Sequence, residues 1–417
     1  MSVQANTVQT SSPYRWVVLG AYWLTGLIYW ASWFVQAPLL VAYWGQHMKL
    51  ALPTATLLIS VVGIVTIFTA VLAGRLVDTL GARRSMGIGI LISLVGFGLR
   101  PLALHSFGVM LFLTIVGSGY LGFLTAGVGP LFSGWFKPED VKMAIGFGTS
   151  SFTLGSGLGI IVSARLVASI GLPSTFWLYS AFLLVAAVVW WTLARDGERP
   201  KERPAQFLAS FREVMSTGSA WRVSVFGLLL GGTTVFLNGF LPGYFMGAFK
   251  VSPEIAGSVA GLFAVAAGIG LFVIPPIAKR LARVRSVMVM VLALACLEWV
   301  MLCLGVAHSV MAATTLVMVF GFLTQSPWAL GLGIQEELPG VKRNTEGVAS
   351  GMYVMATNVG TILIPEVGAF SVQSFGVRGG LWAVLVLVLV GMAIMLSVRV
   401  PDMHMVRSKP AIRRLSE

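Results

Sequence analysis

Twelve apolar runs of about 20 residues, separated by short polar stretches, constrain this chain more than any other feature. They fall near residues 16–42, 53–78, 84–104, 107–135, 142–170, 174–195, 221–248, 253–279, 284–305, 309–337, 344–374 and 378–399. A run of that length crosses a hydrocarbon layer as a helix, whereas barrel strands are about 10 residues long and alternate in polarity. Helices satisfy every backbone group internally, which lipid demands. With 57% hydrophobic and 10% charged residues and a mean hydropathy of +0.89, the chain is excluded from the ordinary soluble class. The expectation is an all-α membrane protein with twelve transmembrane helices.

The formal net charge of +13 would point to nucleic acid in a soluble protein, but here its placement decides. If the N-terminus lies in the cytoplasm, 23 of the 28 Lys and Arg residues fall on cytoplasmic termini and loops. The other five are Lys49, Arg100, Arg165, Lys250 and Arg378. The positive-inside rule then predicts a multi-pass protein of the inner or plasma membrane with both termini cytoplasmic. The partners expected are the lipid bilayer and a small-molecule substrate, not nucleic acid.

The two halves repeat. An offset of 201 residues, without a gap, lays Arg84 on Arg285, Ser85 on Ser286, Lys142 on Arg343, Gly146 on Gly347 and Gly159 on Gly360. One offset serving spans 2 to 5 and 8 to 11 describes two pseudo-symmetric six-helix bundles, residues 1–195 and 221–417. Residues 196–220 form a polar, basic cytoplasmic linker in which Phe207, Leu208, Phe211, Val214 and Met215 have the spacing of a surface helix. Cys296 and Cys303 lie in one apolar run and carry no redox signal.

Gly74 to Ser85 place an acid and three arginines in a tight turn between two apolar runs. The stretch resembles the signature loop between the second and third helices of the major facilitator superfamily, Gly-x-Leu-Ala-Asp-x-x-Gly-Arg-Arg. Gly74, Leu76, Asp78, Gly81, Arg83 and Arg84 match, and Val77 replaces the small residue. The second copy, Pro275–Ser286, carries Lys279 where Asp78 stands and has lost both glycines. The resemblance implies a secondary transporter working by alternating access, with Asp78 opposite the entrance of span 11, where Lys342 and Arg343 lie. Gly134-Trp135-Phe136 and the Glu-Leu-Pro-Gly loop at 337–340 are similar to bacterial permeases grouped with cyanate and nitrate carriers. The arginines that nitrate and monocarboxylate carriers place deep in span 2 or 8 are missing here.

Of the charges within apolar runs, three are candidates for gating or coupling. Arg165 and Glu366 are equivalent under the 201-residue offset, each about 34 Å along its helix, near the extracytoplasmic rim. Because the superfamily sets span 5 beside span 8 and span 11 beside span 2, an outer gate is expected in which Arg165 pairs with Glu254, and Glu366 with Lys49 or His47. Glu298 lies about 20 Å beyond Arg285, near mid-bilayer, where a carboxyl must be neutral or paired; it is the candidate proton-coupling residue.

In this superfamily spans 1, 4, 7 and 10 line the path. The substrate-binding candidates are Tyr29, Trp33 and Gln36 on one face of span 1, Tyr120 and Thr125 in span 4, Asn238 in span 7, and Gln325, Ser326 and Trp328 in span 10. Asn358 in span 11 joins them. Aromatic rings with amide and hydroxyl groups suit a small organic solute, an organic acid or another metabolite. Span 5 lacks the Gly-Pro of drug/proton antiporters, which favours uptake; efflux of hydrophobic or aromatic compounds is the alternative. No nucleotide-binding loop or clustered His, Cys and acid set marks an enzyme, a metal or a cofactor site, and a monomer is expected.

Overall fold

The computed structural model describes residues 12–197, 212–281, 283–339, 341 and 345–398. Span 1 is Tyr14–Phe34, span 2 Leu52–Leu80, span 3 Ala82–Ala103, span 4 Phe107–Ser133, span 5 Pro138–Ile170 and span 6 Leu172–Leu193. Span 7 is Gly218–Phe249, span 8 Pro253–Arg280, span 9 Val284–Cys303 and span 10 Val310–Glu336. The last helix, Glu346–Ser397, is 52 residues long and leaves helical geometry at Gly376 (φ 67°), which divides it into spans 11 and 12. No strand occurs among the described residues. The chain is an integral, multi-pass membrane protein of twelve helices in two bundles.

Local chemistry sets the helix ends. Pro53 and Pro173 sit in the first turns of spans 2 and 6, where a missing N–H costs nothing. Ser106 and Ser309 cap spans 4 and 10 by accepting from the amides of Val109 and Ala312. Span 1 ends early: Ala37 N donates to Phe34 O just before Pro38, and a π-helical segment, Leu40–His47, follows. Gln36 binds both sides of this break, its Oε1 accepting from Trp44 Nε1 at 3.0 Å and its amide nitrogen contacting Met110 Sδ at 3.1 Å.

The repeat survives in the backbone. Lys49 (φ 56°) and Lys250 (φ 55°), separated by the same 201 residues, are the non-glycine residues with positive φ among those described. Each ends the chain's passage after spans 1 and 7, and a left-handed lysine costs on the order of 1 kcal/mol. The same unfavourable geometry therefore occurs at both equivalent corners.

The halves meet along two seams. Span 5 packs on span 8, and span 2 packs on span 11. At the first, a Cβ on Gly261 would fall 2.1 Å from Ile161 Cγ1 and 2.6 Å from Gly157 O; at the second, a Cβ on Gly63 would fall 2.2 Å from Asn358 O. Small residues bring these backbones together, as lipid-embedded helices require where no hydrophobic drive exists. The face that carries Gly74–Ser85 is termed the loop face here, and the opposite one the far face. Nearer the far face, a Cβ on Gly257 would lie 2.5 Å from Ala164 Cβ. Towards the loop face, a Cβ on Gly74, Gly129, Gly146, Gly333, Gly347 or Gly351 meets nothing within 4 Å. Among the described residues the halves are thus in close contact along both seams, and a cavity lined by Gln46 and Thr56 of one half and Gly243 and Lys250 of the other lies between them near the far face.

Candidate functional site

The signature loop builds a clamp within its own half. Gly81 takes φ 91° between spans 2 and 3, and a Cβ there would strike the Asp196 carboxylate. Asp196 Oδ1 accepts from the Arg83 amide at 2.9 Å, Arg83 Nη2 donates to Trp191 O at 2.7 Å, and Trp190 Nε1 donates to Arg83 O at 3.0 Å. The loop is thereby tied to the end of span 6. Sequence reasoning missed Asp196, which reads as one more polar linker residue. Asp78 and Arg84 are exposed, and Gly74 faces open space. Arg343, with Lys342, lies outside the described residues.

At the far face, Ser60 Oγ donates to Glu366 Oε1 at 2.7 Å across the span 2–span 11 seam. The expected partners of Glu366 are not used: His47 stacks on Tyr43 and Lys49 is exposed. Arg165 is exposed and makes no ion pair with the half-buried Glu254, which begins span 8. The pairing pattern differs because Ser60, at the Val61 irregularity of span 2, reaches Glu366 directly. A bond between residues 306 positions apart left no local signal.

The span 1 candidates point into the first bundle. Tyr29, Trp33 and Gln36 are buried, and the Tyr29 ring stacks on Phe97 and meets Tyr120 edge-on at 4.9 Å. Tyr29 donates weakly to Ser118 O (3.4 Å), while Trp33 Nε1 and the Tyr120 hydroxyl have no hydrogen-bond partner among the described residues. Thr125 is half-buried and bonds the carbonyls of Leu121 and Gly122.

In the second bundle, Gln325 Oε1 accepts from Thr234 Oγ1 at 3.1 Å, joining spans 10 and 7. Trp328 Nε1 donates to Thr357 Oγ1 at 3.1 Å, and Tyr353 donates to Trp328 O at 2.7 Å, joining spans 10 and 11. Ser326 is buried on its own helix, and Asn358 is half-buried with its carbonyl against Gly63. Asn238 is buried with both amide atoms unpartnered among the described residues, as are both carboxyl oxygens of Glu298 in span 9. The candidates thus form two separate clusters, one in each bundle. Thr357, not among the sequence candidates, belongs to the second.

A family model for the Major Facilitator Superfamily matches residues 22–338, most of the chain. The chain belongs to the major facilitator superfamily. The fold agrees with that of other superfamily transporters. A bacterial homolog of the human lysosomal transporter Spinster, solved inward-facing and unoccupied, superposes with a TM-score of 0.75 at 15% identity, covering 92% of this chain and 97% of that one. The D-xylose-proton symporter superposes with a TM-score of 0.70 at 15% identity, covering 93% and 98%. By sequence, this superfamily member is 26% identical over 125 residues to probable anion transporter 3, chloroplastic, of Arabidopsis thaliana, and 27% identical over 132 residues to sodium-dependent phosphate transport protein 3 of Mus musculus. Those matches cover 30% and 31% of this chain and about a quarter of the relatives, 24% and 27%. Membership points to a non-enzymatic transporter.

Proposed function

We propose that this protein is a secondary active transporter that takes up a small organic solute, an organic acid or another metabolite, across the inner or plasma membrane. One observation carries the reading: two bundles related by the 201-residue repeat meet along two close-packed seams, span 5 on span 8 and span 2 on span 11. Such a two-bundle arrangement supports an alternating-access cycle, in which a site between the halves is exposed to one side at a time. The basic loops support a cytoplasmic loop face. Proton coupling is assigned to Glu298, whose unpartnered carboxyl lies in an apolar helix. The protein acts as a monomer, with residues 196–220 joining the halves.

The test is counterflow in proteoliposomes. Vesicles preloaded with a candidate solute should accumulate its labelled form transiently, and the accumulation should vanish in protein-free vesicles. If no solute from a broad panel of organic acids and neutral metabolites exchanges, the reading fails. A Glu298→Gln protein should keep exchange but lose the dependence of net uptake on a pH gradient; retained dependence would remove Glu298 from coupling. Efflux of aromatic compounds is the second reading, and it draws on the aromatic content of span 1. The burial of Tyr29 and Trp33 inside the bundle weighs against it. Lower inhibitor sensitivity on expression, reversed by an uncoupler, would favour it.

A further inference from the structure

Arg100 closes span 3, 18 residues beyond Ala82 and so about 27 Å from the loop face. Its side chain does not reach out to the rim. It is only 1% exposed and turns into the first bundle, where Nη1 donates to Ser32 O at 2.8 Å beside the break in span 1. The guanidinium carbon lies 3.7 Å from the centroid of the Phe97 ring, and Phe97 in turn stacks on Tyr29. Nε and Nη2 are buried and have no partner among the described residues.

No acid of this half can neutralise that charge. Residues 1–195 contain three acids, Asp78, Glu139 and Asp140, and all stand at the loop-face ends of their spans. In the other half, Glu366 accepts from Ser60 and Glu254 begins span 8. One neutral hydrogen bond and one aromatic face leave the buried cation incompletely compensated. The two free groups are also the pair on one edge of the guanidinium, the fork that meets two coplanar oxygens at once. A halide offers one acceptor atom to both prongs and so forms two bent bonds where a carboxylate forms two straight ones.

We propose that Arg100 is the anchor of a carboxylate-binding site inside the first bundle, walled by Phe97 and Tyr29. The Nε/Nη2 edge holds the carboxylate side-on, and the third nitrogen holds the site to span 1 through Ser32. Because the guanidinium is enclosed, a carboxylate enters or leaves when the broken end of span 1 moves, which ties occupancy to the conformational cycle. The carboxylate belongs either to the transported solute, which rests on the transport reading above, or to an acid that stays bound.

The experiment separates binding from transport. Purified full-length protein is titrated with acetate and with benzoate, at ionic strength held constant with chloride, and followed by thermal shift and calorimetry. Saturable stabilisation by at least one carboxylate is expected in the wild type. Arg100→Lys keeps the charge but not the fork, and should weaken binding by about tenfold or more; Arg100→Gln should abolish it. Should these variants fail to fold, competition in the wild type decides, since a carboxylate must bind with higher affinity than chloride. Equal affinity for chloride, no saturable carboxylate effect, or an unchanged affinity in Arg100→Lys would each overturn the site. Counterflow of the same labelled carboxylate then identifies the source: exchange marks a transported solute, and binding without exchange marks a resident acid. Both results retain the site, and loss of binding leaves the transport reading standing on exchange of other solutes.

Discussion

The two seams between the halves are copies of each other under the 201-residue offset, yet they close by different chemistry. Ser60 in span 2 corresponds to Gly261 in span 8, and Glu366 in span 11 corresponds to Arg165 in span 5. The first pair forms a hydrogen bond across the interface. The second pair has no side chain on the Gly261 side, so the backbones approach until a Cβ would collide with Ile161, and Arg165 remains exposed. Both seams are close-packed, and only the span 2–span 11 seam also carries a side-chain latch. A duplicated architecture has kept its packing geometry while its polar contacts diverged, so gate residues cannot be copied from one half to the other by symmetry.

The largest effect is expected where packing leaves no room. Gly261→Val places a methyl-bearing Cβ into a 2.1 Å contact with Ile161. Overpacking of a tight interface costs about 1–3 kcal/mol or more. The far face should then fail to close, lowering the counterflow rate by about 10- to 100-fold. A rate within threefold of wild type would mean that this seam does not close during transport.

Removing the latch should do less. Glu366→Ala deletes a hydrogen bond to a charged or polar acceptor, worth about 1–3 kcal/mol, and leaves the Ser60 hydroxyl unpaired. The population should shift towards a far-face-open state by about 5- to 100-fold, read as faster labelling of a cysteine placed at Thr56 by a membrane-impermeant reagent. Glu366→Gln keeps an acceptor and should stay close to wild type. Equal labelling in the Ala, Gln and wild-type proteins would remove the latch.

The smallest effect is predicted for Arg165→Ala. An exposed, unpaired side chain contributes about 0.5 kcal/mol or less. Transport should therefore stay within about twofold of wild type. A large loss, rescued by charge reversal at Glu254, would show that the Arg165–Glu254 pair forms in another state of the cycle.

Much of this fold is legible in the chain because apolar run length and the repeat offset are dictated by the bilayer and by duplication. The site is less so. Counting residues along a helix gives depth but not direction, so the sequence places Arg100 away from the cytoplasmic side and Gln36 on the path face of span 1 without showing that both turn into the bundle. The Ser60–Glu366 bond and the Arg83–Asp196 clamp join residues 306 and 113 positions apart, and neither partner carries a local pattern that names the other. The left-handed lysines, Lys49 and Lys250, were equally silent, since their backbone geometry is set by the corners they turn.

Cross-linking of the span 5–span 8 seam tests the central claim most directly. In a protein with Cys296 and Cys303 replaced by serine, Ala164→Cys and Gly257→Cys set two thiols on carbons that must part from 2.5 Å by about 1 Å or slightly more to reach the usual disulfide spacing, so the reduced variant's own counterflow rate is the reference. Oxidation should form the bond readily, hold the far face shut and stop counterflow, and reduction should restore it. Full counterflow in the quantitatively oxidised protein would contradict alternating access at this seam.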